Sequence, residues 1–354
     1  MVSTAVEPGS TRDASRPPRS DDAAMRQVWQ APHRVSRHAL SGLGAVRRVR
    51  ALVTGASGFV GCHLVAHLAA CGDEVTTSEA EITDPEALEA DFEGCRPDAV
   101  YHLAAQADVK ASFTAAAATL RVNVEGTFNV LDAARRAGAG RVVVVSSADV
   151  YGRLDPDELP VGEATPMRPV TPYGASKAAA EMVCVQAGAA RGLDVVRARA
   201  FNHLGPGQSD RFVAAALAVR IAQNERTGAK TVPVGNLKAR RDFTDVRDVV
   251  RAYRLLAERG VCGEAYNVCS GTSLSVRDLA DALMARARHP MRLTADDELF
   301  RPVDVAEVRG DPSKLRAATG WSPEVELEQT LDELLDYWRG LTPESELPPR
   351  GDSQ

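Results

Sequence analysis

Arg50-Ala-Leu-Val-Thr-Gly55-Ala-Ser-Gly58-Phe-Val-Gly61 is the stretch on which the fold turns. A short β-branched strand runs straight into three glycines spaced GxxGxxG, and a helix follows through about Cys71. Each glycine answers a steric demand. The first permits the tight turn off the strand, the second lets a phosphate approach the backbone, and the third lets helix and strand pack closely. The helix start then offers unpaired N–H groups and a positive dipole end to a pyrophosphate. The spacing differs from GxGxxG, so the strand before and the helix after carry the reading. Ser57, Phe59 and Val60 lie in the same turn and join Gly55, Gly58 and Gly61 as candidate dinucleotide contacts.

Strand and helix keep alternating beyond it. Glu74–Thr77 reads as a strand, Pro85–Phe92 as a helix, and Asp98–Leu103 as a third strand. A long helix is expected over Thr119–Ala137, then an apolar strand over Arg141–Ser147 of the kind buried in parallel sheets. Another helix carries Tyr173 and Lys177, and Asp194–Arg199 forms a further strand. This order predicts an α/β chain: a Rossmann-type doubly wound parallel sheet with a smaller mixed α/β substrate domain. Ligands bind beyond the carboxyl ends of such strands, where Gly55, Ala104, Ala105, Ser146, Ser147, Phe201 and Asn202 fall. After Phe201 helices are expected over Arg211–Gln223, Val246–Arg259, Val276–Arg288 and Leu327–Arg339. The expected organisation is a disordered extension over 1–47, a dinucleotide-binding domain over 48–200, a substrate-binding region over 201–340 partly interleaved with the sheet, and a flexible tail over 341–354.

Thr171-Pro-Tyr173-Gly-Ala-Ser-Lys177 supplies the chemistry. Residues four apart share one helix face, so hydroxyl and ammonium can address the same spot. A fixed cation stabilises phenolate and is expected to draw the tyrosine pKa down from its usual value near 10. Tyr173 is thereby a candidate acid/base for a proton on an alcohol or carbonyl oxygen.

Composition narrows the field. The 354 residues carry a net charge of −6, which argues against a general nucleic-acid surface and means that an anionic ligand needs local arginines. No apolar run is long enough to span a membrane. The six cysteines form no CxxC pair and no zinc-type cluster, so no metal site is expected; His63 and His67 lack a third ligand. Thiols in apolar segments fit a reducing cytoplasm. Residues 1–47 are rich in Ser, Arg, Pro and Ala and lack an apolar signal-peptide core; translation starting near Val46 or Val49 is a further expectation.

Five runs occur in order: Thr54-Gly-Ala-Ser-Gly-Phe-Val-Gly61, His102-Leu-Ala-Ala-Gln106, Asn123-Val-Glu-Gly-Thr-Phe-Asn-Val-Leu131, Ser146-Ser-Ala-Asp-Val-Tyr-Gly152 and Pro172-Tyr-Gly-Ala-Ser-Lys177. Together they resemble the extended short-chain dehydrogenase/reductase family from about Val49 to Trp338. Arg199-Ala-Phe-Asn-His-Leu-Gly-Pro-Gly-Gln208, the run Val234–Asp248, and Arg301-Pro with Gly310-Asp-Pro-Ser-Lys314 resemble its branch acting on GDP-mannose-derived sugars, which holds 4,6-dehydratases and 4-keto-6-deoxy-sugar reductases. The resemblance implies NAD(H) or NADP(H) as cofactor and a nucleotide sugar as substrate. It implies Tyr173 as acid/base, Lys177 on the nicotinamide ribose, Ser147 on the reacting oxygen, and Asn123 as a brace for the lysine's surroundings. It adds Leu103, Ala104, Ala105 and Asp84 to the cofactor contacts, Asp84 at the adenine amine, and it assigns Asn202, Arg241 and Arg301 to the substrate. It also implies a homodimer joined by a four-helix bundle of the alanine-rich helices near 119–137 and 173–191.

Elimination of water needs a proton donor and a base beyond the tyrosine. Dehydratases of the resembling branch place Asp or Ser, then Glu, after the active-site hydroxyl; here Ala148 and Asp149 stand there. A reductase giving GDP-rhamnose or its C4 epimer is therefore the favoured expectation. A dehydratase working through Asp149 and a 4-epimerase are the alternatives. A non-catalytic NAD(P)-sensing protein would be expected to lose the Tyr/Lys pair, which this chain keeps. No Lys or Arg lies between Glu74 and Cys95, which leans to NADH, with Glu79 a ribose candidate.

Overall fold

The computed structural model describes residues 48–300 and 305–341. The expected extension over 1–47, the expected tail from 342 onward, and Arg301 lie outside the described residues.

The first part of the chain alternates strand and helix: β1 (Arg50–Thr54), α1 (Phe59–Ala70), β2 (Glu74–Ser78), α2 (Pro85–Cys95), β3 (Ala99–His102), α3 (Val109–Thr114), α4 (Ala116–Leu120), α5 (Gly126–Arg136), β4 (Arg141–Ser147), α6 (Pro172–Arg191) and β5 (Val195–Ala200). Next come β6 (Asn202–Leu204), α7 (Val213–Thr227), β7 (Thr231–Val234), β8 (Arg240–Asp245), α8 (Val246–Arg259), β9 (Ala265–Val268), β10 (Ser273–Ser275), α9 (Val276–Met284), β11 (Arg292–Ala295), β12 (Glu307–Val308), α10 (Ser313–Thr319) and α11 (Leu327–Gly340).

Local chemistry sets the ends. Thr171 caps α6 by accepting from the Gly174 N–H at 2.9 Å, Pro172 occupies the first turn, and Gly192 closes the helix at φ 68°. Asp84 caps α2 by accepting from the N–H groups of Glu86 and Ala87, with Pro85 next. Between α4 and α5, residues Arg121–Glu125 form a π turn. The continuous helix expected over Thr119–Ala137 is therefore interrupted. The wider turn buries Asn123, whose side chain pairs with the backbone of Gln106 in both directions. The helix expected to reach Arg288 stops at Met284, ahead of Pro290.

The main sheet runs β2-β1-β3-β4-β5-β9, every neighbouring pair parallel. The strand order reverses at β1, which opens a crevice at the carboxyl ends of β1 and β3. One face packs α1 and α8 through Leu64, Leu68, Val249, Val250, Tyr253 and Leu256. The other packs α2, α5 and α6 through Leu88, Phe92, Val130, Leu131, Cys184 and Ala187. Being covered on both faces explains the unbroken apolar runs of β1 and β3. Strand β9 and helix α8 both come from the later part of the chain and complete this layered unit.

The second lobe centres on β8, flanked by β10 and β12, with β6 pairing β8 in parallel; β7 and β11 form a separate parallel pair. Its core joins α7, α9 and α11 through Leu217, Ile221, Leu279, Leu283, Leu331 and Leu335. Asp245 ties the lobes together: it caps α8 and accepts from Thr330 Oγ1 of α11 at 2.7 Å.

Candidate active site

The turn after β1 is built for close approach. Gly55 has φ 73°, and a Cβ there would sit 2.6 Å from the Ala104 backbone nitrogen. A Cβ on Gly61 would lie 2.1 Å from the Gly55 carbonyl oxygen. Helix α1 starts at Gly58 with no side-chain cap and no acidic residue in its first turn, so its N–H groups and dipole remain for an anion. These features fit a dinucleotide's pyrophosphate.

Thr54, at the end of β1, donates to His102 Nδ1 (2.8 Å). His102 Nε2 meets Thr127 Oγ1 at 3.1 Å, and that hydroxyl donates to the Asn123 carbonyl at 2.6 Å. Thr127 Oγ1 therefore accepts from the imidazole, which fixes the Nε2–H tautomer. Burial first, and the Lys177 charge second, lower the His102 pKa to about 3, so this chain of bonds is neutral.

A cleft of about 240 Å³ opens above these strand ends. Its walls include Ser147, Asp149, Tyr173 and Lys177, with Val60, Leu103 and Ala105 from the dinucleotide side and Asn202 and Arg241 from the second lobe. The structure thus brings nine of the eighteen expected site residues into one space; Asn123, Gly55, Ser57, Gly58, Phe59, Gly61, Asp84 and Ala104 do not line it. Helix α6 presents Tyr173 and Lys177, and β4 ends at Ser147. The Lys177 ammonium donates to the Val145 carbonyl at 2.9 Å. Burial draws its pKa down to about 8, with Cys184 and Glu181 opposing. Asn123 Nδ2 donates to Ser176 Oγ at 2.8 Å, directly beside Lys177 in sequence.

The expectation for Tyr173 needs correction. Its phenol is pushed up, chiefly by burial and then by the negative charge of Asp149, while a hydrogen bond with Ser147 works the other way. Lys177, held at the Val145 carbonyl, does not lower it. Desolvation outweighs a cation already bound elsewhere, and Tyr173 stands as a protonated donor.

Several of the polar side chains considered are engaged by the protein itself. Asp84 uses a carboxylate oxygen to cap α2. Arg241 lines the cleft while its Nη1 donates to the carbonyls of Arg240 and Val305, each at 2.8 Å. Arg240 turns to Ser273, and Arg211 is an exposed side chain 3.8 Å from Asp108. His63 hydrogen-bonds the Pro206 carbonyl at 2.9 Å. Among the described residues no cluster suits a metal ion.

Sequence reasoning missed Tyr253 and Gln208, both in the cleft wall. Each is buried, and among the described residues the Tyr253 hydroxyl and Gln208 Oε1 find no hydrogen-bond partner. Tyr253 sits on an amphipathic helix at a core position, where its sequence signal is that of packing alone. Gln208 closes a quoted run, but nothing in the run says which way its amide faces.

The family model described as GDP-mannose 4,6 dehydratase matches residues 70–334. A GDP-6-deoxy-D-mannose reductase from Pseudomonas aeruginosa is 40% identical over 295 residues, 82% of this chain and 97% of the relative. The solved structure of RMD from Pseudomonas aeruginosa complexed with NADPH aligns with TM-score 0.77 at 39% identity, covering 82% of this chain and 99% of that one. A UDP-glucose 4-epimerase from Thermus thermophilus in complex with NAD aligns with TM-score 0.76 at 30% identity, covering 83% and 100%. With a parallel-sheet α/β fold, a glycine cradle for a nicotinamide dinucleotide, and this match over three quarters of its length, the chain belongs to the GDP-mannose 4,6-dehydratase family of NAD(P)-dependent sugar-nucleotide enzymes.

Proposed function

We propose that this protein reduces the C4 ketone of a GDP-4-keto-6-deoxy-hexose to the alcohol, giving GDP-rhamnose or its C4 epimer. The carrying observation is the residue set at the end of β4. Tyr173, hydrogen-bonded to Ser147, is held protonated, and the next residue, Ala148, has no acidic group. Bound NAD(P)H supplies the hydride to C4. Ser147 polarises the ketone oxygen, and the Tyr173 phenol delivers its proton to that oxygen as the C–H bond forms. Lys177 holds the nicotinamide ribose, and Asn123 braces it through Ser176. Gly55, Ser57, Gly58, Phe59, Val60 and Gly61 receive the pyrophosphate, with Leu103, Ala104 and Ala105 along the cofactor. Arg241 and Asn202 take the sugar nucleotide. The 40% identity to the Pseudomonas reductase supports the same reading.

The decisive assay mixes the purified protein with GDP-4-keto-6-deoxy-mannose and NADH or NADPH and follows reduced cofactor. Oxidation that falls about 10²–10⁴-fold in Tyr173→Phe supports the proposal. Unchanged absorbance with both cofactors would sink it. Asp149, in the cleft wall, favours a second reading. Water loss from GDP-mannose with NAD, abolished in Asp149→Asn, would establish a dehydratase instead.

We further expect a homodimer in a reducing cytoplasm. Leu120, Phe128 and Met182 are exposed on the α4–α6 helices, an apolar face of the kind a bundle partner covers. All six cysteines are free thiols. Sedimentation of a monomer at micromolar concentration would refute the dimer.

A further inference from the structure

Thr54 and His102 are Cα partners at the carboxyl ends of β1 and β3. Two residues earlier, on the same sheet face, stand Leu52 and Val100, both fully buried beneath α5. Along these two strands the face is apolar until the ligand rim, where a hydroxyl and an imidazole replace aliphatic side chains. Thr54 is 1% and His102 3% exposed. Polar groups at such a place are costly unless each is hydrogen-bonded.

Each is hydrogen-bonded, and the bonds run in one direction. On one side of the imidazole, Thr54 Oγ1 accepts from the Ala104 N–H at 3.4 Å and donates to Nδ1. On the other side, Nε2–H donates to Thr127 Oγ1 of α5, which donates to the Asn123 carbonyl. That last contact, 2.6 Å between two oxygens, needs the hydroxyl proton, so the direction cannot reverse without breaking it. The chain of bonds continues from Asn123. Its Nδ2 donates both to the Gln106 carbonyl at 3.0 Å and to Ser176 Oγ at 2.8 Å. Ser176 Oγ donates in turn to the Tyr173 carbonyl at 2.7 Å.

His102 is therefore the joint between two arms. The Nδ1 arm ends at the Thr54–Gly55 turn and at Ala104, which are so close that a Cβ on Gly55 would lie 2.6 Å from the Ala104 nitrogen. The Nε2 arm passes through the π turn to the first turn of α6, which carries Tyr173. We propose that His102 is a positioning residue that holds the glycine turn and the helix of Tyr173 in register, one ring nitrogen serving each. This rests on a nicotinamide dinucleotide in the glycine turn and on Tyr173 as the reacting hydroxyl. It is independent of whether the sugar nucleotide is reduced or dehydrated.

Because the two nitrogens have different partners, the two duties can be separated. An asparagine amide reaches the Nδ1 position and stops short of Thr127; a glutamine amide reaches the Nε2 position and sets carbon against Thr54. The full chain is assayed for its NADH dissociation constant by fluorescence titration, for unfolding temperature, and for kcat in whichever sugar-nucleotide reaction the wild type carries out. His102→Gln should weaken NADH binding about tenfold and lower kcat less than about threefold. His102→Asn should lower kcat about tenfold and weaken NADH binding less than about threefold. Thr54→Val and Thr127→Val remove the partners themselves and should repeat the Gln and Asn patterns respectively; they decide the matter if a histidine variant does not fold. Parallel losses in both quantities, or a fall in unfolding temperature alone, would show that His102 serves only the fold and would overturn the proposal. A wild type that turns over no sugar nucleotide would refute the proposed function instead, and the contrast in NADH affinity between the two variants then decides for or against His102.

Discussion

At the residue scale, burial decides what the titratable groups do. Lys177 is 7% exposed and its pKa falls to about 8, below the ordinary lysine value of 10.5. Between about pH 8 and 10 the folded chain holds fewer protons at this site than the unfolded chain. Stability contributed by the group therefore rises with pH across that window. Lys177→Met should remove this dependence, so the stability of wild type relative to the variant should climb from pH 8 to 10 in urea titrations. A flat difference would mean that the lysine is not desolvated. Cofactor choice is also a residue-scale matter. Ser78 ends β2 and donates to the Asp91 carboxylate at 2.6 Å, with exposed Glu79 next in sequence. A 2′-phosphate here would meet carboxylates, so NADH should exceed NADPH in kcat/KM by about tenfold, the scale of one charged hydrogen bond. Comparable efficiency with both would show that a cation reaches the ribose from elsewhere.

At the element scale, two contacts hold the working helices in place. Helix α1 lies so close to the turn before it that a Cβ on Gly61 would overlap the Gly55 carbonyl. Gly61→Ala must push the helix start away from the glycine turn proposed to receive the pyrophosphate. Cofactor affinity by fluorescence titration should fall at least about tenfold, since several aligned N–H groups move together. Helix α6 is fixed to the sheet by Glu181, 1% exposed. Its carboxylate accepts from Arg199 Nε and Nη2 at 2.9 Å, from Ser146 Oγ at 2.6 Å and from Arg197 Nη1 at 3.2 Å. Removing the carboxylate charge leaves the buried Arg199 guanidinium with neutral partners such as the Tyr151 hydroxyl and the Glu163 carbonyl. Glu181→Gln should cost about 3–5 kcal/mol in denaturant unfolding. A loss under about 1 kcal/mol would mean that water reaches the arginine.

At the scale of the whole molecule, the cleft exists because two lobes meet over the strand ends. The sheet contributes Ser147, Tyr173 and the glycine turn, and the second lobe contributes Arg241 from β8. A diphosphate brought to a chain of net charge −6 needs such a local cation. Arg241→Ala should raise KM for the sugar nucleotide about 10–100-fold, the range for a charge-assisted hydrogen bond, and leave the cofactor's dissociation constant nearly unchanged. Equal effects on both would remove Arg241 from the substrate side.

The five strands from Arg50 to Ala200 and the glycine turn were legible in the sequence because they are local patterns: apolar runs bounded by turns, and glycines where a Cβ has no room. Tyr173, Lys177 and Ser147 were legible because helix periodicity and strand ends place them by number alone. Other features depend on packing between distant segments. The π turn at Arg121–Glu125 follows from Asn123 reaching the Gln106 backbone, seventeen residues away in sequence. The sixth strand, Ala265–Val268, finds β5 only once α8 has crossed back over the sheet. The high pKa of Tyr173 comes from burial and from Asp149, and it reverses what the neighbouring lysine suggests on a helix drawn by itself. The Gln208 amide is oriented by the hydrogen bond that its Nε2 donates to the His203 carbonyl. The sequence determined the order of strands and helices and singled out the candidate reacting groups, since those rest on patterns within a few residues. Tertiary structure decided protonation and orientation, because desolvation and the choice of hydrogen-bond partner depend on what the rest of the chain brings alongside.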